Sequence, residues 1–204
     1  MKKKAIVAVV ALVLVLCCAM GGTLAWLVDS TTEVKNTFTY GDINISLWEH
    51  ELNEDGLTLS EDVFTGAVQT GFKMIPGNKI EKDPTVTVKA NSEACWLFVK
   101  VEKSSNFDTF MTCSVNTAEN EWNELSSAAS GNYKVYYREV AATTVDTNFA
   151  VLANDSVSVR DTVTKDMLKD GVFVAPTLSF TAYAVQRDAN ITTAAQAWNI
   201  AMGK

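Results

Sequence analysis

His50 is the single histidine of this 204-residue chain, and it stands between two acids in Trp48-Glu49-His50-Glu51. Histidine beside carboxylate is the raw material of a hydrolytic zinc site. A helical zinc peptidase, however, needs His-Glu-x-x-His, because two histidines one turn apart share the metal while the glutamate activates water. One histidine cannot build that motif. What stays open is zinc held by His50 with Glu49, Glu51 or a more distant carboxylate; the plainer reading is a solvated side chain at the end of a strand. Nucleophilic catalysis through serine or cysteine would draw on the same histidine, and no serine sits in a nucleophile elbow. No catalytic residue is assigned, and a non-enzymatic role is expected.

The remaining polar chemistry is diffuse. Glu119, Glu121, Glu124, Asp161, Asp166 and Asp170 would need a cleft to act as paired acids on a glycosidic bond, and they read more simply as a solvated acidic surface. Calcium suits oxygen-rich turns of extracellular modules, yet Asn53-Glu54-Asp55-Gly56 lacks the full loop pattern and reads as a turn. No cofactor is expected, with zinc and calcium as the alternatives. Among Trp48, Trp96, Trp122 and Trp198 a sugar-stacking platform is conceivable. Trp96 and Trp198 fall on apolar faces, whereas Trp122, within Asn120-Glu121-Trp122-Asn123-Glu124, is the one expected to be exposed.

The segments that carry these residues begin with an export pattern. Met1 to Lys4 holds three lysines, Ala5 to Met20 has no polar residue besides Cys17 and Cys18, and Gly21-Gly22-Thr23-Leu24-Ala25 follows. That is the layout of a secretory signal, with cleavage expected between Ala25 and Trp26. The chain is thereby divided into a signal peptide (1–25), an N-terminal segment (26–40) and a body (41–204). Left uncleaved, Ala5 to Val28 could cross a hydrocarbon core about 30 Å thick, and it would be the expected membrane contact. Cys17 follows Leu16 and Cys18 follows Cys17, so neither has the small neighbour of lipoprotein processing.

Cleavage removes three lysines and no acid, which takes the formal charge from −7 to −10. Such a surface repels phosphates, and no Lys/Arg cluster follows residue 25, so nucleic acid is not an expected partner. Two cysteines remain, Cys95 and Cys113. In an oxidising exterior they could form a disulfide worth about 3 kcal/mol through loop closure. Alternatively, Cys95 is a small buried residue of an apolar strand and Cys113 an unrelated thiol.

Through the body, apolar residues recur with period two, and β-branched and aromatic residues cluster between polar stretches. Strands are expected at Phe38 to Trp48, with a bulge at Gly41-Asp42 realigning Ile43, Ile45 and Leu47, and at Pro84 to Lys89, with Val86 and Val88 inward. Cys95 to Val99 is continuously apolar and suits a mid-sheet strand covered on both faces. Tyr133 to Val140, Asp155 to Arg160 and Thr177 to Gln186 are further strands, the last with Leu178, Phe180 and Ala182 opposite Tyr183 and Val185. Turns are expected at Asn53 to Gly56, Pro76-Gly77-Asn78 and Ser130-Gly131-Asn132. Short helices are expected at Thr164 to Lys169 and Thr192 to Met202, the latter capped by Thr192 or Thr193 with Ala195, Trp198 and Met202 as its apolar stripe. Many short strands without a βαβ rhythm predict an all-β, mainly antiparallel sandwich with one or two short helices.

Two stretches resemble the TasA/camelysin family of exported bacterial proteins. One is Gly21-Gly22-Thr23-Leu24-Ala25-Trp26-Leu27-Val28-Asp29-Ser30 followed by Asn36-Thr37-Phe38-Thr39-Tyr40-Gly41-Asp42-Ile43; the other is Ile75-Pro76-Gly77-Asn78-Lys79-Ile80-Glu81-Lys82 followed by Val86, Val88 and Asn91-Ser92. The ending Tyr183-Ala184-Val185-Gln186 with its Trp198 helix resembles those of related clostridial exported proteins. The resemblance implies processing by a SipW-type signal peptidase, a jelly-roll-like β-sandwich, and a role as a fibre-forming or accessory subunit of the biofilm matrix or cell surface of a Gram-positive bacterium. It further implies a candidate donor strand at Trp26 to Thr37, with Trp26, Val28 and Val34 as the pocket-filling side chains; the alternative is a disordered N-terminal tail. Camelysin relatives carry a metal-dependent peptidase label, which is one alternative. A carbohydrate- or protein-binding surface module is the other.

Overall fold

Apolar side chains on both faces force a strand into the middle of a sheet, because an exposed face would leave half of them in water. The computed structural model, which describes residues 42–204 other than 67, 170 and 172, resolves Cys95–Lys103 (β6) in that position. One antiparallel sheet runs in the order β12 (Leu178–Gln186), β6, β9 (Tyr133–Val140), β8 (Asn123–Glu124). A second has β5 (Thr85–Val88) between β1 (Ile45–Trp48) and β10 (Thr147–Ala150). A third orders β4 (Lys79–Glu81), β11 (Ser156–Val159) and β7 (Met111–Thr112), and β2 (His50–Leu52) pairs with β3 (Leu59–Val63) as a hairpin. The described chain is therefore an all-β fold of mainly antiparallel strands.

The alternation along β6 assigns its residues to two cores. Leu97, Val99 and Val101 point to a first core shared with Val86 and Val88 of β5, Val151 and Trp122. Trp96 and Phe98 point the other way, into a second core covered by helix α2 (Ala194–Ala201). A third core, around Ile80, Leu152, Val157 and Val159, is completed by Phe107 and Phe110 of the short helix α1 (Phe107–Phe110). Each large apolar side chain taken from water contributes about 1.5–3 kcal/mol.

The terminal helix is capped as its sequence suggests. Thr193 and Gln196 form a reciprocal capping box, which satisfies two otherwise orphaned donors. Its buried stripe is Ala194, Ala197 and Trp198 rather than the expected Ala195, which is exposed. Spacing i, i+3, i+4 turns those three toward the sheet, where Trp198 meets Phe98 and Tyr183 at ring distances of 5.4 and 5.3 Å. The helix expected at Thr164 to Lys169 is only a 3-10 turn at Lys165–Leu168, since one turn of chain nucleates poorly without a packed face. The Phe38 to Trp48 strand begins its ladder at Ile45; its expected bulge at Gly41-Asp42 falls partly outside the described residues. Among the described residues no helix is long and apolar enough to cross a membrane.

Trp122 overturns the expectation that it is exposed. It is 1% exposed, belongs to the first core, and its indole N–H donates to the Ala150 carbonyl at 2.9 Å. Its polar neighbours misled because their polarity is met by specific partners around a buried ring: Asn120 takes a left-handed φ of +64°, Glu121 pairs with Arg138 and Glu124 with Lys134. Trp122→Ala should therefore act as a core truncation, costing about 3–5 kcal/mol. At roughly 2–4 °C per kcal/mol, thermal unfolding should shift down by about 10 °C. A shift within about 2 °C would contradict the burial.

Candidate functional site

Among the strands with a ladder partner on one side alone are β1, bonded to β5, and β12, bonded to β6. The two lie against each other without sharing a ladder. On β6 the inward residues Leu97 and Val99 are fully buried, whereas Leu178, Phe180, Ala182 and Ala184 of β12 are only half-buried although they pack against the first core. The core is thus incompletely covered along the seam between these edges. An edge of this kind offers main-chain donors and acceptors to an added strand.

Beside the seam lies a groove of about 640 Å³, with Leu47, Phe64, Phe72, Phe173, Leu178 and Phe180 in its lining. Val68, also in the lining, is 76% exposed, and Val174 beside Phe173 is 69% exposed. Apolar side chains this exposed, gathered about one groove, mark an interaction surface.

The segment after the β2–β3 hairpin forms one wall, and polar contacts tie that segment and the hairpin to the body. Glu49 pairs with Lys82, both side chains largely buried, and the Lys82 ammonium sits 5.2 Å from the Phe72 ring centre. The Asp83 carboxylate accepts from the His50 backbone N–H at 3.0 Å and also contacts the His50 ring nitrogen Nδ1. The Gln69 amide donates to the His50 carbonyl at 3.1 Å. Gly56 is needed where the hairpin closes: its φ is +70°, and a Cβ there would lie 2.7 Å from the Gly71 carbonyl oxygen. Only glycine combines that φ with that approach.

The expected site residues fare unevenly. Ala25 and Trp26 of the cleavage point, and Trp26, Val28 and Val34 of the donor segment, lie outside the described residues. His50 is held by Asp83, from the connection between β4 and β5, and not by Glu49 or Glu51; Glu49 is engaged with Lys82. Among the described residues no group of three or more His, Cys, Asp or Glu side chains is arranged to hold a metal ion. In the Asn53 to Gly56 turn, the Asp55 carboxylate accepts from the Thr58 hydroxyl and from the Thr58 and Leu57 N–H groups. Those bonds hold its pKa down at about 2, and they commit the carboxylate to its own turn. Asp166 pairs with Lys169, and Glu119 and Asp161 are exposed, as for a solvated acidic surface; Asp170 lies outside the described residues. Trp96 and Trp198 are core, and half-buried Trp48 donates its indole N–H to the Thr87 hydroxyl. The groove aromatics Phe64, Phe72 and Phe173 were missed, because they sit in Gly-containing stretches outside the strands with no period to read.

Cys95 and Cys113 are both free. Cys113 shares a recess with Val101 and Lys103, which lie six and eight residues along β6 from Cys95. At about 3.3 Å per residue that end of the strand is roughly 20 Å or more from Cys95, far beyond the separation a disulfide spans. The pairing expected above is therefore corrected in favour of two unrelated thiols. Burial pushes the Cys95 thiol up to about 11 and raises Cys113 as well. Native protein should accordingly have the same mass with and without reductant, and Cys95 should react with thiol reagents only after unfolding; a native mass short by a pair of hydrogens would contradict this. No protein-family model, no curated protein and no solved structure matches the chain.

Proposed function

We propose that the chain is an exported structural subunit of the cell surface or biofilm matrix of a Gram-positive bacterium, and that copies assemble by strand addition. In this reading a SipW-type signal peptidase cleaves between Ala25 and Trp26, and the segment Trp26 to Thr37 of one copy lies along the seam between β1 and β12 of the next. The body is then a jelly-roll-like sandwich completed by its neighbour.

The observation that carries the reading is the half-covered inward row of β12, Leu178, Phe180, Ala182 and Ala184, at a sheet edge that borders an apolar groove. An extended segment there gains main-chain hydrogen bonds from the edge while alternate side chains enter the groove. Trp26, Val28 and Val34 share one parity in the sequence, so a regular strand would turn all three to one side. Acidic copies repel one another, and a main-chain ladder with an apolar groove is a contact that net charge does not forbid.

Protein starting at Trp26 should form fibres visible by electron microscopy and elute as large species in size-exclusion chromatography, whereas protein starting at Gly41 should stay monomeric. A synthetic peptide of residues 26–40 should bind the Gly41 form and raise its melting temperature. Monomers from both forms, with no effect of the peptide, would sink the proposal.

A further inference from the structure

The groove beside β12 sits at one end of the seam. It touches β12 at Leu178, Ser179 and Phe180, the first residues of that strand, and β1 at Leu47 and Trp48, the last residues of that one. Phe64, Phe72, Phe173 and Phe180 in its lining are half-buried, so each keeps ring surface for a partner to cover. The space of about 640 Å³ is far more than a valine fills. It is matched by a large aromatic side chain, which buries about 150–250 Å² and packs edge to face on phenyl rings.

The nine residues of β12 include no charge and no proline, the two features that ordinarily guard an edge strand. Trp26 to Val34 is a stretch of the same length, with its one aromatic residue at the first position. Such a segment has two directions open to it along β12. Running parallel, it sets Trp26 level with Leu178, at the groove, and Val34 level with Gln186. Running antiparallel, it sets Val34 at the groove and Trp26 at the far end. Only the parallel direction brings the indole among the four phenylalanines.

Charge agrees with that direction. Asp29 and Glu33 have the opposite parity to Trp26, which turns them to the outer face of the sheet. In the parallel register Asp29 is level with Thr181, whose ladder partner on β6 is Lys100, and Glu33 is level with Val185, two residues before Arg187. In the antiparallel register Glu33 is level with Ser179, whose ladder partner is Glu102, so two acids would share that face. Charges of this kind set direction more than they add affinity.

We infer that Trp26 is the anchor of assembly: the donated segment runs parallel to β12, with the Trp26 indole seated in the groove among Phe64, Phe72, Phe173 and Phe180. This rests on the assembly proposed above, and it adds the direction of the donated strand and the side chain that decides specificity.

Two measurements on the chain starting at Trp26 separate the anchor from the assembly itself. Trp26→Ala should raise the concentration needed for fibres about thirtyfold, as for a central aromatic anchor, and Val34→Ala no more than about threefold. Direction is read from disulfide cross-links on a non-reducing gel, with the parent chain as the blank, since paired strands hold level residues within reach of a disulfide. Leu27→Cys with Ser179→Cys should give a ladder of linked subunits, and Glu33→Cys with Ser179→Cys should give none. Leu27 and Glu33 precede the body and Ser179 is exposed, so these variants should melt with the parent. A ladder from the second pair, alone or beside the first, would overturn the inference and leave strand addition standing, as would Val34→Ala weakening assembly more than Trp26→Ala. Fibres with no ladder from either pair, or no fibres from the parent chain, would overturn the anchor together with the assembly on which it rests.

Discussion

A strand with apolar side chains on both faces must be covered above, below and along both edges, and β6 is the strand on which this requirement falls hardest. Leu97 and Val99 demand the three-stranded sheet on one side, while Trp96 and Phe98 demand α2 on the other. Its ladders to β9 and β12 satisfy its own edges. The demand is then passed outward: β12 inherits the same inward apolar row but has a described partner on one flank only. The half-buried state of Leu178, Phe180, Ala182 and Ala184 is the physical residue of that shift, and the groove lies where cover is incomplete.

Much of this was legible in the residues. The five-residue apolar run from Cys95 could only be mid-sheet, and the alternation in Thr177 to Gln186 divided that strand's faces as observed, Leu178, Phe180 and Ala182 against Tyr183 and Val185. Thr192 and Thr193 announced the start of the final helix, and Thr193 is its cap. The misreadings have a common cause. The polar neighbours of Trp122 suggest exposure, yet it precedes the short strand β8 and turns its ring into the first core, where its N–H meets the Ala150 carbonyl. Ala195 was placed on the apolar stripe because alanine is neutral between faces, so the packing of Trp198 decides the phase.

The site was less legible than the fold. A groove is made by residues remote in sequence, and Phe64, Phe72 and Phe173 meet β12 only after the hairpin has closed on Gly56. Charge shows the same limit: Lys103 and Lys134 look like ordinary surface charges until the fold sets Asp108 and Glu124 beside them. Net acidity carries no information about where those charges cancel. His50 offered the most conspicuous chemistry in the chain, and its ring is spent on anchoring the hairpin to Asp83.

The claim on which the functional account turns is that the outer edge of β12 is the surface that assembly covers. Hydrogen exchange of the amides from Leu178 to Gln186 tests it most directly, comparing protein that starts at Gly41 with assembled protein that starts at Trp26. The account predicts that amides directed away from β6 exchange freely in the first and become strongly protected in the second, while those bonded to β6 are protected in both. Equal exchange of the β12 amides in the two samples, with fibres present, would contradict it and move assembly to another surface.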